Sequence, residues 1–89
     1  MKEIGTLYRV NGEVLRVNPD NGKIFMLDEL QIYVGGYIEL VPGTGKKGEP
    51  PAYCNEEGRL NGLKLNDQAS IRFAQVLVGD VIQVRKEKS

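Results

Sequence analysis

Eighty-nine residues, 40 % hydrophobic and 27 % charged, are enough for one small folded domain and exclude a disordered chain. Twelve Lys and Arg balance twelve Asp and Glu. That argues against bulk nucleic-acid binding, which wants a basic surface, and against acidic mimicry of DNA.

With no His and one Cys, Cys54, the chain lacks the parts for a structural zinc site, a Ser–His or Cys–His pair or an intrachain disulfide. Nothing points to a metal or a cofactor. The N-terminal MKEIGTLYRV has no apolar signal region, and no run approaches the ~20 residues of a membrane helix. A cytoplasmic location without membrane contact is therefore expected. Net charge near zero favours self-association, so a homo-oligomer is expected.

In chain order, Thr6–Val10 and Glu13–Val17 flank Asn11-Gly12, a strong hairpin signal. A two-residue loop pairs Val10 with Glu13, Tyr8 with Leu15 and Thr6 with Val17. The core face would then carry Tyr8, Val10, Leu15 and Val17. Leu7, Arg9, Val14 and Arg16 would face out. Asn18–Gly22 reads as a turn, and Lys23–Phe25 as a brief extended piece.

Met26 to Val34 reads as a helix with Leu27, Leu30 and Val34 on one face, Asp28 and Glu29 in its first turn, and Gly35-Gly36 ending it. Ile32 and Tyr33 lie off that stripe, as a core edge or a subunit contact. Tyr37–Val41 alternates as a strand, and a ten-residue loop spans Pro42–Pro51. Ala52–Cys54 and Arg59-Leu60 flank an Asn55–Gly58 hairpin turn. Asn66 caps a short helix over Asp67–Phe73. Val76–Val78 and Val81–Val84 close the chain as extended segments. Together these predict a single α+β domain over 1–85, with a frayed tail over 86–89. Its sheet is antiparallel or mixed and starts with a β-hairpin. One definite helix covers about 27–34 and a second short one about 67–74.

The polar candidates cluster between Val34 and Leu63. Gly43-Thr44-Gly45-Lys46-Lys47-Gly48 invites a phosphate-loop reading that fails on spacing: Leu40 and Lys47 stand where Gly and Ser/Thr are required. It also runs toward Pro50-Pro51 and not into a helix. A hairpin tip, or a Gly/Lys flap over an anionic ligand, remains. Glu39, Glu56 and Glu57 could pair for acid–base work. Otherwise Glu56 and Glu57 are solvated turn charges, and Glu39 is an ion-pair partner of Arg59 or Arg72. Tyr37 and Tyr53 could stack a planar ligand or sit at the core edge. Asn55, Asn61 and Asn66 are each explained by turn chemistry. The candidate ligand surface is therefore Tyr37, Glu39, Lys46, Lys47, Tyr53, Asn55, Glu56 and Asn61. No residue is assigned as catalytic.

KIFMLDELQIYVGGYIELV, YCNEEGRLNGLKLN and the terminal VGDVI resemble the signature of a small domain-of-unknown-function family of bacteriophages, plasmids and conjugative elements. The resemblance covers Lys23–Val41, Tyr53–Asn66 and Val78–Ile82, roughly half the chain. It implies a mobile-element origin and a bacterial host cytoplasm. By association with antirestriction modules, it implies evasion of host defence. It implies no catalytic residue. Two departures stand out: the GTGKKGEPP insertion is longer than the pattern, and Met26 replaces a Ser/Thr cap, weakening the helix start by ~1 kcal/mol.

The expected function is non-enzymatic binding, either of a host protein or of a small anionic, nucleotide-like ligand. Alternatives are a structural or oligomerisation module of a larger phage or conjugative assembly, and a small hydrolase using Glu39 with Glu56 or Glu57.

Overall fold

The computed structural model describes residues 2–46 and 48–87. The chain runs β1 (Lys2–Tyr8), β2 (Val14–Val17), α1 (Leu27–Val34), β3 (Ile38–Leu40), β4 (Ala52–Asn55), α2 (Asp67–Phe73) and β5 (Val81–Glu87). The five strands form one antiparallel sheet in the order β2-β1-β5-β4-β3. This is the expected α+β domain.

The sheet has a buried core on each face. Side chains alternate along a strand, so neighbours in sequence point to opposite sides. On one side Leu7, Ile82 and Val84 pack with Phe25 and with Leu30 and Val34 of α1. On the other, Tyr8, Val81 and Ala52 pack with Val41, Leu77 and Ala69 of α2. β5 lies between β1 and β4 and feeds both cores, which is why its first four residues, Val81–Val84, are all buried.

This two-sided burial corrects the hairpin. Leu7 stands opposite Leu15, and Tyr8 opposite Val14, one residue away from the expected register. Tyr8 is buried as expected, but Val10 and Leu15 are exposed and Leu7 belongs to a core. The turn is the cause. The Arg9 N–H donates to the Glu13 carbonyl (2.9 Å), and the Gly12 N–H donates to the Arg9 carbonyl (3.0 Å). That closes a three-residue loop in which only Gly12 needs positive φ (94°).

Met26 is the N-cap of helix α1, and its side chain makes no capping bond. Glu29 compensates from inside the helix. Its buried carboxylate accepts the N–H groups of Met26 (3.1 Å) and Asp20 (2.8 Å), tying the preceding turn to the helix start. Leu27, expected on the buried stripe, is 59 % exposed.

Two other expectations are corrected. Arg59-Leu60 forms no strand, because the chain keeps turning through Gly62 and the Leu63 N–H donates to the Gly58 carbonyl (2.9 Å). β5 continues to Glu87, because Arg85, Lys86 and Glu87 pair with Ile4, Glu3 and Lys2. The segment expected to fray is therefore strand as far as it is described; residues 88–89 lie outside the described part.

Helix α2 starts as the sequence predicts. The Asn66 side-chain oxygen accepts the Ala69 N–H (3.0 Å), and its amide nitrogen donates to the carbonyls of Tyr8 and Gly79 (2.8 Å each). Asn66 is 0 % exposed, so one side chain caps a helix and joins it to β1 and to the turn before β5.

Candidate functional site

Strand β3 is an edge of the sheet, and Glu39 stands opposite Cys54 of β4 on the face that α2 covers. Beyond α2 the chain turns back along this face as Gln75–Val78, while the Glu56–Leu60 turn rises from the end of β4. Between them lies a groove of about 270 Å³. Glu39, Cys54 and Pro42 line it from the sheet side. Asn55 to Leu60 form one wall and Gln75 to Val78 the other. The Arg59 guanidinium donates to the Val76 carbonyl (3.3 Å), joining the two walls. Leu60 is 84 % exposed and Val76 61 %, so the rim is apolar. Of the charged side chains on the lining, three are Glu and one is Arg.

The groove thus gathers Glu39, Glu56 and Glu57, all solvent-exposed. Neither predicted partner pairs with Glu39. Arg72 is bound to Glu49 (2.9 Å), and Arg59 is bound to a carbonyl. Cys54 is half-buried, its thiol 3.7 Å from the Glu39 carbonyl. Burial, and then the Glu39 charge, push that thiol above the ordinary cysteine range.

The other expected ligand residues scatter. Tyr37, Asn55 and Asn61 line a second hollow with Gln31, Gly36 and Glu57 at the end of α1. Tyr53 lines neither hollow and packs against the α1-side core, so the two tyrosines do not form one stacking platform. Asn55 is buried and committed. Its amide nitrogen donates to the Val34 carbonyl (3.2 Å), and its oxygen accepts the Glu57 N–H (2.8 Å). It pins the end of α1 to the NEEG turn.

The expected flap is fastened. The buried Thr44 hydroxyl donates to the Val41 carbonyl (2.8 Å) and accepts the Ala52 N–H (3.0 Å). Lys46 bridges to Glu49 through the backbone, Gln75 donates to the Pro42 carbonyl (2.9 Å) and Gln83 to that of Pro50 (2.8 Å). Lys46 is exposed and lines neither hollow; Lys47 lies outside the described residues.

Sequence reasoning missed Arg59, Leu60, Gln75 and Val76 as groove residues. An apolar Leu60 inside a charged turn was the one local signal. The approach of Val76 is tertiary and leaves no local trace. Among the described residues, no group of three or more Cys, Asp or Glu is arranged to hold a metal ion, and no helix is long and apolar enough to cross a membrane.

A model of the family described as "Domain of unknown function (DUF3846)" matches residues 8–89. No curated protein and no solved structure matches the chain.

Proposed function

The chain belongs to the DUF3846 family, a domain of unknown function, and we propose that this member is a non-enzymatic binding protein of a phage or other mobile element. It docks a host protein in the bacterial cytoplasm, in a role that fits evasion of host defence. The resemblance of VGGYIE and CNEEGRL to the signature of a phage and mobile-element family supports the setting.

One observation carries the binding mode: the groove at the sheet edge combines three carboxylates with an apolar rim. A protein segment presenting Lys or Arg beside aliphatic side chains complements it. A nucleotide's phosphates would meet three Glu and an Arg already bonded to Val76. Carboxylate-pair hydrolysis calls for one acid kept protonated in a dry pocket, whereas all three Glu are open to solvent.

The test is a photo-crosslinking residue at position 76, expressed in the bacterial host. A discrete protein adduct is expected, lost when Glu39, Glu56 and Glu57 are all changed to Lys. No adduct, with a nucleotide co-purifying with the native protein, rejects the proposal.

The assembly reading has one observation of its own. Ile32 is 79 % exposed and lines a third hollow with Val10, Tyr33 and Leu63. Light scattering that finds a monomer at every concentration removes it.

A further inference from the structure

We infer that the partner enters as an added strand on β3, with a basic residue opposite Glu39 and apolar residues on either side. This rests on the groove reading above and specifies how the groove is occupied.

The backbone pattern comes first. The Tyr37 carbonyl accepts the Glu56 N–H (2.9 Å), the Val41 N–H donates to the Ala52 carbonyl (2.8 Å), and Glu39 stands opposite Cys54 between them. In an antiparallel ladder, alternate residues turn their N–H and C=O toward the partner. Tyr37, Glu39 and Val41 therefore face β4, and Ile38 and Leu40 turn theirs to the open edge. That edge offers two donors and two acceptors, the geometry by which extended peptides extend a sheet.

The side chains give the pattern. A new strand lies ~4.8 Å beyond β3, and directly opposed side chains share a face. The residue opposite Glu39 stands beside the acidic groove, where a Lys or Arg stem can also reach toward Glu56 and Glu57. Residues opposite Ile38 and Leu40 fall on the α1 side, where Leu40 is exposed beside Ile38. The complement is apolar–basic–apolar.

A second copy of the chain does not fit. Antiparallel self-pairing that sets Ile38 opposite Leu40 puts Glu39 opposite Glu39, and opposed like charges destabilise a ladder. The other edge is guarded. β2 carries Arg16, paired with Glu87 (2.9 Å), and a charged edge discourages strand addition. Glu39 has no ion pair among the described residues.

The experiment titrates the protein with a capped synthetic peptide centred on Val-Lys-Val and follows individual amides by hydrogen exchange. On saturation, the Ile38 and Leu40 amides are expected to slow at least about tenfold, while that of Glu39, already turned to β4, changes little. Replacing the peptide's Lys by Glu should weaken binding roughly fivefold or more, and Glu39→Lys should reverse that preference. Methylating the peptide's backbone nitrogens should abolish binding. If the peptide binds with the Ile38 and Leu40 amides unprotected, strand addition is wrong and the groove reading stands. If it does not bind at millimolar concentration although position 76 still crosslinks a host protein, the inference falls alone. Failure of both removes the groove reading as well.

Discussion

Asn66 carries more of this structure than its place beside a turn suggests. Its oxygen caps α2 and its nitrogen holds two buried carbonyls. Asn66→Ala should cost ~2–4 kcal/mol, the sum of a lost cap and two stranded acceptors. Urea melts would show a lower midpoint at unchanged slope. Asn66→Asp keeps the cap but brings a buried carboxylate against both carbonyls, so it should be worse than Ala at neutral pH and recover toward acid pH. Equal losses for the two variants would contradict the two-carbonyl account. Cys54 gives a prediction of the same pH sense in a higher range. Its thiol is pushed up by burial and then by Glu39, so the folded state holds this proton more tightly than the unfolded state. That contribution is complete well below the unfolded thiol's pKa of about 8.5, erodes from there, and is lost as pH climbs through the raised folded value. Stability should therefore fall in alkali, and Cys54→Ser should flatten that fall in paired melts at pH 8 and 10. Tyr33, also pushed up by burial and then by Asp20 and Glu29, would leave a remainder.

At the level of elements, α2 ends on a residue that disguises its end. Ala74 is the C-cap, with left-handed φ of 54°, the only positive φ outside glycine among the described residues. A left-handed Ala costs ~1–2 kcal/mol, and Gly gives back ~0.4–1 through the freer unfolded chain. Ala74→Gly should thus stabilise by ~0.5–1 kcal/mol, read as a rise in melting temperature. Both helices were legible in the sequence, α1 from its apolar spacing and Gly35, α2 from the Asn66 cap. The hairpin was legible as a hairpin but not in register. Asn11-Gly12 serves a two-residue or a three-residue loop, and alternation along a hairpin predicts a single covered side. Leu7 and Tyr8 are both buried because a helix lies on each face, a fact about distant elements. Of the candidate site, Glu39 and Glu56 could be read locally as residues of one surface. Tyr53 could not be separated from Tyr37 without knowing which core it joins, and Asn55 looked available because its bond to the Val34 carbonyl spans 21 residues.

Across the whole molecule, the longest ladder joins the two ends of the described chain. β1 and β5 pair from Lys2↔Glu87 to Tyr8↔Val81, and β5 supplies Ile82 and Val84 to one core and Val81 to the other. Contacts this remote in sequence close late, which places folding in the slower, millisecond-to-second range for a small domain. Joining Glu87 to Lys2 by a short turn and opening the chain between the exposed Asn61 and Gly62 makes that ladder local. Stopped-flow refolding of this permutant should be several-fold faster than wild type. An unchanged rate would mean that β1–β5 pairing is not limiting. The same geometry has a bearing on biosynthesis. The strand that both cores wait for is the last of the domain to leave the ribosome, so the nascent chain exposes two half-built apolar surfaces until β5 emerges. During that interval, chaperones and proteases meet it as an unfinished sheet.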